Sequence, residues 1–332
     1  MMIEDVFTFD NLYKSGKKCC NGVRWKTSTQ NFEKELAHNV NILRKQVLQE
    51  KFKSKGFHKF TLKERGKVRE IASVHITERA VQKCLCDYYL VPKFSKSFIY
   101  DSGACLKGKG VHFAVKRLET HLHKYITKHN NKGYTLTFDI SNFFGSIDHN
   151  ILLNIVKNKF EDKRLYDLYA YFVNRFEGEK GLGLGSQVSQ ISANIYLNVL
   201  DHYIKDELGV KYYGRYMDDG YIICESKQEL KELLQKIKNK LKELKLELNP
   251  KKTHICSLKN FSFLKRLYVV FDNNKISKRP YKKNILRHKR KVKKLIKINT
   301  NAINQLIINF KGYLKEFNYS DRYTKAVEQC IQ

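Results

Sequence analysis

Three aspartates stand where strand-like segments of the sequence end, and their chemistry is that of metal-assisted phosphoryl transfer. Asp139 closes the alternating, β-branched run 134–140. Asp218 and Asp219 occupy the bend of a second hairpin-like run, 211–225. Adding a nucleotide to a 3′-hydroxyl uses two divalent ions about 3.5–4 Å apart, one at the attacking oxygen and one at the departing pyrophosphate. Magnesium takes hard oxygen ligands, and adjacent aspartates can serve one ion pair only at a bend, because neighbours on a regular strand face opposite ways.

Each aspartate also has an ordinary structural interpretation. Asp-Gly is a favoured hairpin turn, so Asp219-Gly220 is consistent with turn chemistry alone, and Asp139 is consistent with a cap. The net charge favours catalysis on a polyanion instead. Lys and Arg number 64 against 33 Asp and Glu, a formal charge of +31. A surplus of this size repels itself and indicates an acidic partner, with nucleic acid first and an anionic membrane second.

The composition narrows the class of protein. A chain of 332 residues with 42% hydrophobic and 12% aromatic residues can bury a core, which excludes wholesale disorder and suggests about two domains. The sequence contains no apolar run long enough to span a membrane and no signal pattern at the N-terminus. Its eight cysteines form no Cys-x-x-Cys pair, so no zinc site is expected. We therefore expect a soluble, cytoplasmic protein without a membrane partner.

The order of the elements predicts an α+β fold. Helical periodicity, β-prone runs and turn residues alternate along the chain. The expected helices cover 31–55, 77–92, 149–160, 162–176, 188–207 and 227–244, the expected hairpins cover 57–76 and 211–225, and short strands are expected within 246–256 and 262–271. A glycine-punctuated loop in 99–118 leads into a further helix.

Two motifs carry a resemblance to a known family. Tyr216-Met217-Asp218-Asp219 resembles the aromatic-x-Asp-Asp signature of reverse transcriptases. Residues 139–148, read DISNFFGSID, resemble the first catalytic block of the bacterial and intron-encoded branch, and the resemblance continues in order through most of residues 60–325. It implies a right-hand polymerase, with fingers and palm interleaved, a small antiparallel palm sheet backed by helices, and a helical thumb.

The resemblance and a shift in composition together suggest the domain boundaries. From Asn273 to Lys315 the sequence has no Asp or Glu, and twelve Lys and Arg crowd residues 275–297. The expected division is a helical extension (1–55), interleaved fingers and palm (56–270, palm mainly 131–150 and 194–270) and a basic helical thumb (271–332).

The same resemblance implies a metal centre and a general acid. Asp139, Asp218 and Asp219, with the carbonyl of Ile140, would hold two Mg²⁺ ions, for which Mn²⁺ is a possible substitute. Lys252 would protonate the leaving pyrophosphate, although a solvated surface lysine is the ordinary alternative. A palm-type nucleotide cyclase and an inactive nucleic-acid-binding protein are the alternatives from other classes.

The incoming nucleotide would meet five residues by this resemblance. Lys67 and Arg69 match a triphosphate-binding pattern on the first hairpin. Phe144 matches the bulky residue under the sugar C2′ that excludes ribonucleotides, with core packing as the alternative. Leu184 and Gly185 begin a block that reads Gln-Gly in most reverse transcriptases, and Leu184 cannot hydrogen-bond the sugar as an amide would.

The aliphatic form of this block resembles the reverse transcriptases of diversity-generating retroelements, which copy a template RNA with errors at adenine. Defence-associated, antiphage reverse transcriptases also deviate at this block. The expected partners are a template or non-coding RNA, the cDNA product, dNTPs, and an accessory protein or a second copy of the chain. The residues expected to contact template or primer are Lys107, Lys109, Ser189, Gln190, Lys265, Arg287 and Arg290. Lys265 stands where the family usually has glycine.

Overall fold

A computed structural model describes residues 1–64, 67–176, 178–296 and 300–317, with Asp321, Lys325 and Gln329 beyond them. The helices are α1 (Ile3–Val6), α2 (Phe9–Cys20), α3 (Thr27–Lys34), α4 (Leu36–Leu48), α5 (Ile76–Leu85), α6 (Val91–Phe94), α7 (Val111–His129), α8 (Phe143–Ser146), α9 (His149–Lys157), α10 (Lys163–Asn174), α11 (Gln187–His202), α12 (Lys227–Glu243), α13 (Lys282–Ile296) and α14 (Thr300–Leu314). The strands are β1 (Phe57–Glu64), β2 (Lys67–Val74), β3 (Tyr134–Asp139), β4 (Tyr213–Tyr216), β5 (Asp219–Cys224), β6 (His254–Ser257), β7 (Phe261–Phe263), β8 (Arg266–Val270) and β9 (Ile276–Pro280).

The N-terminal helices pack against the rest of the molecule through their apolar faces. Thr8 caps helix α2, because its hydroxyl accepts a hydrogen bond from Asn11 N (3.2 Å), and the helix packs against α4 and α5. The single helix expected over 31–55 is wrong. The backbone leaves helical geometry at Glu35 (φ −118°, ψ 41°), so α3 and α4 are separate, and α4 ends at Leu48.

Strands β1 and β2 form the expected hairpin. They pair antiparallel from Phe57 opposite Val74 to Glu64 opposite Lys67. Helix α5 follows, with the His75 side chain capping its first turn. A π-helical turn and α6 then continue the helical path through Pro92, beyond the expected end of that helix.

A four-stranded antiparallel sheet with the order β4-β5-β3-β6 forms the centre of the fold. Because side chains alternate across a strand, one face carries Leu136, Phe138 and Ile222, which join the core formed with α11 and α12. The other face carries Tyr221 and Ile223, which pack with α7 and the strands β7 and β8. Both faces of the central sheet are therefore covered.

The C-terminal part begins with a three-stranded antiparallel sheet, β7-β8-β9, and ends in two basic helices. Helices α13 and α14 pack on each other through an apolar cluster that includes Val292, Phe310 and Leu314. Arg266 on β8 forms an ion pair with Glu316 (2.6 Å). Strand β9 occupies 276–280, so the helices begin only at Lys282, later than the boundary expected at 271. Among the described residues, none of the helices has the length and apolarity needed to cross a bilayer.

Candidate active site

The register of the central sheet brings two distant aspartates together. In the pairing of β3 with β5, Asp139 lies directly opposite Asp219 and Phe138 lies opposite Gly220. A Cβ atom at position 220 would run into the ring of Phe138. Gly220 is therefore required by close packing inside the sheet, and the interpretation of Asp219-Gly220 as the hairpin turn is wrong.

Asp218 lies in the turn itself. Tyr216 pairs with Asp219, so Met217 and Asp218 are the two central residues of the β4–β5 hairpin. Met217 has a positive φ of 52°, which a two-residue hairpin turn requires but which a side chain disfavours. The guanidinium of Arg215 donates a hydrogen bond to the Met217 carbonyl (2.8 Å) and so stabilises this turn.

The three carboxylates lie close enough to repel one another. Asp139 is 4% exposed. Burial, followed by the charges of Asp218 and Asp139, raises the pKa of Asp219 to about 7. Burial and the Asp139 charge likewise raise the pKa of Asp218. Concentrated, poorly solvated negative charge of this kind favours a bound cation.

Lys252 places an ammonium on Asp139. Its Nζ forms an ion pair with Asp139 Oδ1, and the segment is fixed because Asn249 N donates to the Asp139 carbonyl (2.8 Å). Burial lowers the pKa of Lys252, but the hydrogen bond and charge of Asp139 outweigh that effect and raise it. Lys252 therefore lies at the Asp139 carboxylate as a protonated group.

The carbonyl of Ile140 is turned toward the β5 side of the sheet. Asp139 O accepts from Asn249 N, and Ser141 N donates to Glu247 O (2.8 Å), around the bridge between Ile140 and Leu248. Backbone groups alternate in direction along a strand, so the N–H and C=O of Ile140 point away from this neighbour. The Ile140 carbonyl thus points to the side on which Asp219 lies.

The donor set fits magnesium in kind. Carboxylates and a backbone carbonyl are hard oxygen ligands, and the ammonium of Lys252 is a stand-in cation on one of them. In the ranges that the structure describes, no three His, Cys, Asp or Glu side chains are arranged around one point as a metal would require. Because the Lys252 ammonium is paired with Asp139 Oδ1, Asp139 would have to release Lys252 to bind an ion.

Phe144 and the glycine-rich segment lie side by side. The Phe144 carbonyl accepts from Leu182 N (2.7 Å), and Gly181 N donates to Ile147 O (2.8 Å). The ring of Phe143 is buried, whereas Phe144 is half-buried, and the two ring centroids are 5.5 Å apart. The structure thus assigns core packing mainly to Phe143.

Leu184 and Gly185 form the turn that precedes α11. Gly185 has a φ of +111°, and a Cβ there would lie 3.5 Å from the Ala72 carbonyl, so the turn passes close to strand β2. Ser186 begins α11 by accepting from Ser189 N (3.3 Å). Ser189 is 1% exposed, which does not fit the predicted contact with template or primer, whereas Gln190 is exposed.

Lys67 and Arg69 both fall on β2, but their side chains lie outside the described part of the structure.

The loop 101–110 docks beside the β4–β5 hairpin that carries Asp218. Gly103 N donates to the Arg215 carbonyl (2.8 Å). Lys109 donates to the carbonyls of Tyr100 (2.7 Å) and Ser102 (3.1 Å), so its ammonium is used to hold the loop rather than being presented to a template. Lys107 is exposed.

Lys265 lies at the tip of the β7–β8 hairpin rather than within a strand. Its φ is +61° and that of Leu264 is +45°, which explains on steric grounds why glycine suits this position. The positive charge of Lys265 offsets a small part of the rise in the pKa of Asp219. Arg287 and Arg290 are exposed on α13.

A buried ion pair supports the β4–β5 hairpin, and the sequence did not predict it. Arg215 (1% exposed) donates from Nε to Asp201 Oδ1 (2.8 Å) on α11, and Asp201 is fully buried. Tyr213 donates to the same carboxylate (2.6 Å), and Arg215 also contacts Asn194 Oδ1 (3.3 Å). The available signal was an arginine within an apolar strand, since a buried charge needs a partner.

Comparisons with known proteins assign the fold and the family. The family model described as reverse transcriptase (RNA-dependent DNA polymerase) matches residues 57–295, well over half of the chain. No curated protein matches the chain.

Two solved structures illustrate the shared fold. Telomerase from Candida albicans, solved with a TWJ fragment of telomeric RNA, aligns with a TM-score of 0.54 at 12% identity, over 84% of this chain and 55% of that one. Apo telomerase from Candida tropicalis aligns at 0.52 and 14% identity, over 72% and 53%. The chain thus spans about half the length of these structures and shares their polymerase fold. The match over residues 57–295 shows that the chain belongs to the reverse transcriptase family, whose members are RNA-directed DNA polymerases.

Proposed function

We propose that the chain makes cDNA on a dedicated RNA template. The observation that carries the proposal is the pairing of Asp139 with Asp219 next to the Asp218 turn, at the end of the central sheet. Asp139, Asp218, Asp219 and the Ile140 carbonyl would hold two Mg²⁺ ions, with Mn²⁺ as a substitute. Bound there, the ions lower the pKa of the attacking 3′-hydroxyl and neutralise charge on the departing pyrophosphate.

The protein's own groups supply the remaining chemistry. Lys252 is protonated and lies at Asp139, so it can release its proton to the leaving pyrophosphate once it leaves that carboxylate. Lys67 and Arg69 on β2 would hold the triphosphate. Lys107, Gln190, Lys265, Arg287 and Arg290 would contact template and primer.

Primer extension on an RNA of defined sequence tests this function. Complementary DNA should appear with dNTPs and Mg²⁺, and an Asp218→Ala/Asp219→Ala double variant should make none. Extension that persists in the double variant would contradict the proposal. A folded wild-type protein that binds RNA but makes no DNA would be an inactive binding protein, and a cyclic product formed without template would reveal a cyclase.

Phe144→Ala should admit ribonucleotides. The half-buried ring of Phe144 would occupy the space under the sugar C2′, so removing it leaves room for a hydroxyl. We expect the ratio of kcat/KM for ribo- over deoxynucleotide to rise about 10- to 100-fold. Phe143→Leu is the control, because Phe143 is buried in the core and should change stability without changing this ratio. Unchanged sugar selection in Phe144→Ala would reject the assignment.

Low fidelity is proposed from Leu184. An aliphatic side chain in the turn before α11 cannot hydrogen-bond the nucleotide, so Leu184→Gln should lower the error rate by about 2- to 10-fold, the range of one hydrogen bond. Leu184→Met, which lacks the amide but keeps the volume, should remain as error-prone as wild type. Sequencing of cDNA made on one RNA measures all three proteins, and equal error spectra for wild type and Leu184→Gln would contradict the proposal.

The biological role that we propose is mutagenic copying in a diversity-generating retroelement, because the block at Leu184–Gln190 has the aliphatic form. Antiphage defence with a companion non-coding RNA is the second candidate, since that group departs at the same block. The neighbouring genes distinguish the two roles. A variable target gene would indicate the retroelement, and a non-coding RNA beside defence genes would indicate antiphage defence. We further propose the division into a helical extension, interleaved fingers and palm, and a basic thumb.

A further inference from the structure

A groove with an unusual lining lies at the base of the β1–β2 hairpin, where β1 begins and β2 ends. It has a volume of about 650 Å³ and runs between this end of the hairpin and the start of α3. We call it the Trp25 groove, after its lining residues Trp25, Lys26, Lys55, His58 and Arg79. The proposed polymerase chemistry uses none of these residues.

The aromatic part of the groove is a largely exposed tryptophan ring. Trp25, the only tryptophan of the chain, is 75% exposed, and the Lys26 ammonium lies 5.2 Å from its ring centroid. Leaving a large apolar ring in water forgoes the stabilisation that burial would give, so the exposed Trp25 ring is available to a ligand. Its flat face is suited to an unpaired base, which can stack on it, whereas a paired base is already stacked within its duplex.

The charged part of the groove is positive throughout. The lining contains Lys26, Lys55 and Arg79 and no aspartate or glutamate. Within the described ranges, none of these three cations forms an ion pair. Burial and then the charge of Lys55 lower the pKa of His75, which also lines the groove. No acidic side chain of the described residues neutralises these three cations, so the groove is suited to an external polyanion.

We infer that the Trp25 groove binds a single-stranded segment of RNA, with a base stacked on Trp25 and the flanking phosphates at Lys55 and Arg79. The volume falls within the range of about 300–1,000 Å³ that suits a small ligand or a nucleotide unit. The inference rests on the proposed function only in taking RNA as the polyanion. It places a second RNA contact outside the catalytic centre.

The single tryptophan makes the test direct. The full chain, carrying Asp218→Ala/Asp219→Ala and kept in EDTA so that no synthesis occurs, is titrated with a single-stranded RNA of about 12 nucleotides. Stacking should quench the Trp25 emission to saturation, and a duplex of the same sequence should quench it weakly. Lys55→Gln/Arg79→Gln should weaken binding about 10-fold and reduce the salt slope by about 1.4, since each lost phosphate contact removes about 0.7.

A matched charge change serves as the control. Lys236 and Lys238 are exposed on α12, so Lys236→Gln/Lys238→Gln removes the same charge elsewhere and should change affinity by less than about 2-fold. Trp25→Ala, followed by anisotropy of labelled RNA, should weaken binding about 10-fold. Unchanged Trp25 emission at saturating RNA, or equal affinities in all variants, would overturn the inference and leave the groove to a protein partner or to none. Because the assay involves no synthesis, its failure is separate from failure of the proposed polymerase activity.

Discussion

Asp219→Asn should reduce nucleotide addition on an RNA-templated primer by at least about 10³-fold, and Asp139→Asn should do the same. Each change removes an ionised oxygen from the site proposed to hold both ions. Bound ions would supply several kcal/mol of transition-state stabilisation, and the weakened site loses it. Single-turnover incorporation of one dNTP at saturating Mg²⁺ measures the effect. Asp272→Asn is the control, because Asp272 is exposed between β8 and β9 and forms an ion pair with Lys259.

Stability should respond in the opposite direction at position 219. Burial and two neighbouring carboxylates raise the pKa of Asp219, so its ionised form destabilises the folded state at neutral pH in the absence of a cation. Asp219→Asn should therefore melt at the same or a higher temperature than wild type in EDTA. Asp139→Asn gains less, because it also breaks the ion pair with Lys252. Loss of activity accompanied by a large fall in melting temperature at position 219 would indicate a structural role instead.

Arg215→Ala should destabilise the protein by about 3–5 kcal/mol, because it leaves the fully buried Asp201 without its cation. Denaturant unfolding measures this effect. Arg215→Met/Asp201→Asn removes both charges and keeps an acceptor for the Tyr213 hydroxyl, so it should recover most of the lost stability. It does not restore the donor to the Met217 carbonyl, which fixes the turn carrying Asp218.

The double variant therefore separates a positioning role from a structural one. If Arg215 positions the catalytic turn, the refolded double variant should still add nucleotides at least about 10-fold more slowly, with kcat lowered and KM for dNTP nearly unchanged. Wild-type kcat in a stable double variant would show that Arg215 only supports the fold.

Local patterns in the sequence predicted most of the helices and strands and the three aspartates. The prediction of an α+β polymerase fold is confirmed, and so is the resemblance to reverse transcriptases at the level of the family. Asp139 was recognisable because it ends a β-branched run, whereas only the resemblance to reverse transcriptases implied that Asp219 lies beside it. The register that sets it opposite Asp219 joins segments about 80 residues apart, and no local pattern encodes such a pairing. The choice between retroelement and defence roles remains a prediction.

Other errors have particular causes. Lys109 was predicted to contact template or primer, and Arg215 was not singled out, because in a chain so rich in cations no local pattern distinguishes one Lys or Arg from another. In the structure, Arg215 is buried on Asp201 and Lys109 holds backbone carbonyls. Lys265 was placed within a strand because β-prone residues flank it on both sides, whereas a two-residue turn forms there at positive φ. No proline or glycine lies at the break at Glu35, so the sequence pattern predicted a single helix where α3 and α4 are separate.

Exchange of the ligand atom at position 219 tests the central claim most directly. A thiolate favours softer metals over magnesium, so Asp219→Cys should be inactive with Mg²⁺ and regain part of its RNA-templated nucleotide addition with Mn²⁺ or Cd²⁺. Asp219→Ala should stay inactive with every ion. Rescue confined to the thiol variant would show that this side chain holds the ion. Equal activity of the two variants across all metals, or full activity of either with Mg²⁺, would contradict the account.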